Sequence, residues 1–193
     1  MRSLRSQGAL TTMKRKIVLT FGCLSGAVSA AMMFATLPFI DEIGLDNGAV
    51  VGYTAIVLSF LFVFFGVRAY REQLGATPLT FTNAFGVGIL ITLISCVFYV
   101  AAWEILYTNF IPDFTERYSA HVLERLRASG ATDAAILATA QQMADFKEMY
   151  RNPLIRVAYT FIEPFPVGLL MTLISAVTLR TKPTRTAAHP AVA

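Results

Sequence analysis

Four long runs of apolar residues, separated by shorter polar stretches, dominate the chain. The hydrocarbon core of a bilayer is about 30 Å thick, so a helix needs about 20 mostly apolar residues to cross it. Each run meets this requirement, and such runs are too long and continuous for the strands of a barrel. The pattern predicts an all-α, polytopic membrane protein with four transmembrane helices, at residues 17–40, 49–67, 84–107 and 154–179.

The polar segment between the third and fourth runs, residues 108–153, predicts a helical hairpin. Apolar residues recur every four positions in its first half, until Gly130 ends the pattern. Asp113 and Glu116 fit a capping box, in which the aspartate accepts from the first turn of the helix and the glutamate reaches back. Thr132 is expected to cap the second helix of the hairpin.

The distribution of Lys and Arg predicts the orientation, because these residues concentrate in the short cytoplasmic loops of membrane proteins. Four crossings place both tails and the second loop on one side, and these segments carry ten Lys and Arg residues. The first loop carries none and holds three acidic residues. Both termini are therefore predicted to be cytoplasmic and the hairpin extracytoplasmic, with residues 1–16 and 180–193 forming disordered tails.

The composition excludes a soluble enzyme, because 55% of the residues are hydrophobic and only 15% are charged, against about 45–50% and about 25% in soluble domains. The net charge of +4 comes from residues at the ends of the apolar runs, so no nucleic-acid partner is expected. Cys23 and Cys96 lie inside apolar runs, and His121 and His189 match no ligand spacing. No metal and no other cofactor is expected.

Glu163 is the strongest candidate for a functional residue, because an ionisable group inside a membrane helix costs at least about 2.5–3.5 kcal/mol. It lies about 14 Å from the start of the fourth run, near the middle of the membrane. Pro164 and Pro166 follow it and are expected to kink the helix and free backbone carbonyls. Three serines at similar depth are the predicted partners of the carboxyl group, namely Ser29, Ser59 and Ser95.

Two interpretations of Glu163 are open. In one, its carboxyl group is a protonatable site on a transport or relay path. In the other, it is a neutral glutamic acid that holds the helices together through hydrogen bonds to the serines and free carbonyls.

Two further groups of charges are predicted at the membrane boundaries. Glu104 and Arg156 fall at the same boundary and are expected to form an ion pair that anchors their helices. Arg68 and Arg71, at the opposite boundary, are expected to contact anionic lipid head groups. Because no His, Asp and Ser constellation occurs at one depth, no catalytic residue is predicted and no enzymatic activity is expected.

Three segments of the chain resemble a known family. They are the end of the second run, residues 58–72, the entry to the third run, residues 80–88, and the proline-containing segment 163–170. The family that they resemble is the domain of unknown function 4199. The resemblance spans about Lys14 to Lys182. It implies a four-helix protein of the bacterial inner membrane with an extracytoplasmic helical insert, and it implies no catalytic residues.

The sequence leaves two functions open. The first is a non-enzymatic accessory or assembly partner in the bacterial envelope, in contact with membrane lipids. Gly22, Gly26 and Ala30 form a small-residue face that suits packing within the bundle, a membrane-protein partner or a homodimer. The alternative is a small transporter or proton-linked translocator that uses Glu163.

The orientation can be tested with reporter fusions after Ala193 and between Ser129 and Gly130. Because the basic residues favour cytoplasmic tails, we expect the terminal fusion to be active only with a cytoplasmic reporter. The hairpin fusion should be active only with a periplasmic reporter. A terminal fusion that is active only with the periplasmic reporter would contradict the predicted topology.

Overall fold

Helices form every regular element in the computed structural model of the protein, which describes residues 2–181. The prediction of an all-α fold is confirmed. The elements are α1 (Arg2–Thr36), a 3-10 turn (Leu37–Phe39), α2 (Ile40–Gln73), α3 (Phe81–Asn109), α4 (Phe114–Ala128), α5 (Asp133–Tyr150), α6 (Pro153–Ile162) and α7 (Phe165–Leu179).

Four helical stretches are long and apolar enough to cross a membrane, and they overlap the four predicted runs. The fourth stretch consists of α6 and α7 together. The chain is therefore a multi-pass membrane protein. The stretches are Thr11–Phe39, Asn47–Gln73, Phe81–Asn109 and Pro153–Leu179.

The N-terminal tail differs from the prediction of disorder, and the structure describes only residues 180–181 of the C-terminal tail. Helix α1 begins at Arg2, so residues 2–16 are helical rather than disordered. No proline interrupts this segment, and adding residues to an existing helix costs far less than nucleating one. Residues 182–193 of the predicted C-terminal tail lie outside the described part of the chain.

Glycines allow close packing between the membrane-spanning helices. Helix α1 packs against α2 and α3, and α7 packs against α2 and α3. A side chain on Gly26 of α1 would overlap the ring of Phe98 in α3, and one on Gly168 of α7 would overlap the methyl group of Thr92. The glycine face of α1 is therefore used for packing within the bundle.

The bundle has two ends, which we name by the segments found there. At the tail face, the loop before α3 meets the end of α7, where the Thr181 amide donates to the Leu79 carbonyl at 3.0 Å. The Leu79 amide donates in return to the Thr181 hydroxyl at 2.7 Å. The opposite end, the hairpin face, carries the 3-10 turn and the helices α4 and α5.

The hairpin is present, but the predicted capping box is wrong. Asp113 makes no capping bond and has φ −91° and ψ 11°, whereas a capping residue adopts an extended conformation. Its carboxylate accepts instead from Arg117 at 2.7 Å. Glu116 pairs with Lys147 of α5 at 2.6 Å, and this hydrogen bond lowers the pKa of Glu116 to about 2. Thr132 caps α5 as predicted.

Candidate functional site

A cavity of about 490 Å³ lies between the bundle and the hairpin. Ligand-binding pockets in proteins have volumes of about 300–1,000 Å³ and mostly apolar walls. Helices α1 to α6 all contribute to the lining, and aromatic side chains dominate it, so we call it the aromatic cavity. Its aromatic residues are Tyr53, Tyr99, Trp103, Phe114, Tyr118, Phe146, Tyr150 and Tyr159.

Glycines of α2 form part of the wall of the aromatic cavity. Gly44, Gly48 and Gly52 are spaced four residues apart and line the cavity. A Cβ atom added at any of them would meet nothing within 4 Å. Gly44 also kinks α2, with a φ of +70° that L-residues rarely adopt. The missing side chains therefore leave open volume on this side of the cavity.

Glu163 lies in the wall of the cavity, at a break in the fourth crossing. Helix α6 ends at Ile162 and α7 begins at Phe165, because Pro164 has no amide hydrogen to continue the ladder. The Tyr99 hydroxyl of α3 donates to Glu163 Oε2 at 3.0 Å. Tyr99 is buried, whereas the Glu163 side chain remains exposed and lines the cavity. The carboxyl group is therefore accessible to a molecule within the cavity.

The structure does not place Ser59 and Ser95 in contact with Glu163. Both hydroxyls donate to carbonyls one turn earlier in their own helices, at 2.7 Å for Ser59 and 2.9 Å for Ser95, as serines in helices often do. Ser29 lines the cavity without a described hydrogen bond to Glu163. The partner of Glu163 is Tyr99, which the sequence analysis missed although it lies one turn beyond Ser95.

One buried hydroxyl group lies behind the wall of the cavity. Thr160 is buried and lines the cavity, and its hydroxyl makes no hydrogen bond to any described residue. It lies beside the hydroxyl of Tyr150, which accepts from the Trp103 indole at 2.8 Å. Burial raises the pKa of Tyr150, so this phenol stays neutral. The Thr160 hydroxyl is therefore not exposed to a molecule in the cavity.

The predicted boundary residues Glu104 and Arg156 form a bidentate ion pair. Arg156 Nε lies 2.8 Å from Glu104 Oε1 and Nη2 lies 2.5 Å from Oε2. The guanidinium carbon lies 4.4 Å from the centre of the Tyr107 ring, and Nη1 donates to the Tyr150 carbonyl at 3.4 Å. Arg156 is nearly buried, with 9% of its side chain exposed. The pair ties α3 to the junction of α5 and α6.

The predicted lipid contacts lie at the tail face. Arg68 is exposed and pairs with Glu72 at 2.9 Å, one turn further along α2. Arg71 is partly exposed in the last turn of the same helix. Contact of these arginines with lipid head groups stays a prediction.

The comparisons with known proteins identify a family but no activity. A family model described as protein of unknown function (DUF4199) matches residues 20–181. This range contains the hairpin and every residue that lines the aromatic cavity. No curated protein and no solved structure matches the chain.

We expect removal of either partner of the Glu104–Arg156 pair to destabilise the protein. Glu104→Gln leaves a nearly buried arginine unpaired, and Arg156→Met leaves an unpaired carboxylate, so each should cost about 3–5 kcal/mol of unfolding free energy. The double variant should cost much less than the sum of the two. Unfolding by sodium dodecyl sulfate in mild detergent, followed by circular dichroism, measures these values.

The matched control is Glu72→Gln, which breaks the exposed pair with Arg68 and should cost about 0–1 kcal/mol. Single variants that unfold like this control, with additive effects in the double variant, would show that the boundary pair does not stabilise the bundle.

Proposed function

Because the chain belongs to the DUF4199 family, whose description assigns no activity, we propose its function from the cavity. We propose that it is a non-enzymatic accessory protein of the bacterial inner membrane that binds a small, largely apolar molecule. The observation that carries this proposal is the aromatic cavity of about 490 Å³ with Glu163 in its wall.

The lining of the cavity supports binding of an apolar molecule. Aromatic rings bury large apolar areas with little loss of conformational freedom. Ligand sites combine such walls with a few polar groups that fix the orientation of the ligand. Glu163 and Tyr99, which are joined by a hydrogen bond, are such groups here.

The chemistry of the lining favours binding over catalysis. Nucleophilic catalysis typically uses a nucleophile, a base within hydrogen-bond reach and a third group that orients the base. Among the described lining residues, the hydrogen bond from Tyr99 to Glu163 is the one pair of this kind. No third group completes it in that part of the chain. An accessory role that depends on holding a molecule fits this set of groups.

The basic residues support an orientation for the cavity. Lys and Arg in the tails and the second loop favour a cytoplasmic tail face. The hairpin face is then extracytoplasmic, and the aromatic cavity lies in the outer half of the membrane.

Binding can be measured through Trp103, which is the single tryptophan of the chain and lines the cavity. We expect the neutral apolar dye N-phenyl-1-naphthylamine to bind saturably to the protein in nanodiscs, with energy transfer from Trp103. Gly48→Phe should abolish the saturable transfer, because its side chain enters the open volume beside α2.

Two variants control this measurement. Val50→Phe, at an exposed position outside the cavity lining, should bind the dye like the unmodified protein. Trp103→Phe removes the energy donor and measures the dye emission that does not arise by transfer from Trp103. Transfer that does not saturate, or that is equal in the Gly48 and Val50 variants, would contradict the proposed binding function.

A second candidate is a proton-linked translocator, favoured by the position of Glu163 in the cavity midway along a membrane-spanning stretch. This function predicts proton flux into proteoliposomes that carry a pH-sensitive dye. Glu163→Gln should then abolish the flux without unfolding the protein, because glutamine keeps the shape of glutamate but does not titrate. Equal flux in protein-free and protein-containing vesicles would exclude proton translocation.

A further inference from the structure

The carboxyl group of Glu163 has no basic partner in the described part of the cavity. No Lys, Arg or His occurs among the described residues that line it. Arg156, the nearest arginine along the chain, is bound on both sides of its guanidinium group by Glu104 and Tyr107. A carboxylate away from bulk water needs a proton or a positive charge nearby. The described residues supply neither an ammonium nor a guanidinium group here.

The aromatic walls also favour a positive charge. The face of an aromatic ring is negative, so it attracts a cation within about 6 Å of the ring centre. Tyr99 donates its hydroxyl to Glu163, while Tyr53, Trp103 and Tyr159 line the same cavity. The lining therefore combines one carboxyl group with aromatic rings, whose faces attract positive charge. An anionic head group, such as a lipid phosphate, would be repelled.

The glycine wall provides room for an apolar body beside this charge. Gly48 and Gly52 leave open volume on the side of α2. A neutral hydrocarbon would fill this volume, but it would bring no positive charge to the Glu163 carboxyl group, whose described partner is the neutral Tyr99 hydroxyl. A molecule that combines an apolar body with a positive charge satisfies the carboxylate and the apolar walls together.

We infer that the ligand of the aromatic cavity is a lipophilic organic cation, held by the Glu163 carboxylate and the surrounding ring faces. This inference rests on the proposed binding function and adds the charge of the ligand. A charge-assisted contact with a carboxylate is stronger than a neutral one, so the charge contributes to affinity as well as to selectivity.

Two probes of the same shape and opposite charge test the inference. Tetraphenylphosphonium is a cation, tetraphenylborate is its anionic counterpart, and triphenylphosphine oxide is a smaller neutral analogue. In nanodiscs of zwitterionic lipid, each probe is titrated against the N-phenyl-1-naphthylamine signal from Trp103. We expect the cation to displace the dye at a concentration at least tenfold lower than the neutral analogue, and the anion to displace it least.

Glu163→Gln tests the residue that selects the charge. The variant should lose at least tenfold more affinity for tetraphenylphosphonium than for the neutral analogue. The matched control is Glu42→Gln, which removes an exposed carboxylate outside the cavity lining and should leave the affinity for the cation unchanged. If the Glu163 variant does not fold, the comparison of the three probes on the unmodified protein still decides the sign of the preferred charge.

The possible results separate this inference from the proposed function. Saturable dye binding with equal displacement by all three probes would overturn the charge preference and leave the binding function in place. Preferred displacement by tetraphenylborate would also overturn it. Absence of saturable dye binding together with absence of any effect of the probes on Trp103 fluorescence would overturn the proposed function itself. Equal loss of cation affinity in the Glu163 and Glu42 variants would remove Glu163 from the site.

Discussion

Every backbone amide and carbonyl inside a bilayer needs a hydrogen-bond partner within the protein, and the fourth crossing interrupts this pattern at one place. Pro164 cannot donate a hydrogen bond, so the crossing is divided between α6 and α7. Irregular backbone at this depth is tolerated where it is buried in protein or lines a cavity. Glu163 lies at the break, and its side chain lines the aromatic cavity. The break in the helix is therefore tolerated because it borders the aromatic cavity.

The ion pair between Glu104 and Arg156 lies where the hairpin joins the membrane-spanning helices around the cavity. Arg156 contacts α3 through the carboxylate and the end of α5 through the Tyr150 carbonyl. The Tyr150 hydroxyl accepts from Trp103, and both aromatic side chains line the cavity. The Arg156 side chain of α6 thus connects α3 and α5, two of the helices that line the aromatic cavity. The pair lies outside the cavity lining, which leaves Glu163 as the acidic group within its described part.

The sequence predicts depth in the membrane well, because a helix advances about 1.5 Å per residue wherever it starts. The four crossings and the proximity of Glu104 to Arg156 follow from lengths and depths alone. The partner of Glu163 does not, because residues one turn apart on the same helix face differ in side-chain length and direction, which depth does not specify. Ser95 and Tyr99 share a face of α3, yet Ser95 bonds to its own helix and Tyr99 reaches the carboxyl group. The cavity depends on the packing of six helices, and no local pattern in the chain encodes it.

Glycines four residues apart also show that spacing along the chain does not determine how a helix packs. In α1, Gly22 and Gly26 lie against side chains of α3, so the spacing produces close packing. In α2, Gly48 and Gly52 have the same spacing and face open volume. The motif is identical, and the difference lies in whether another helix occupies the facing space. Protein interiors are normally filled to the density of organic crystals, because an unfilled void forfeits dispersion contacts. An open volume of about 490 Å³ beside a glycine wall and an accessible carboxyl group is therefore the place where the proposed ligand would complete the packing.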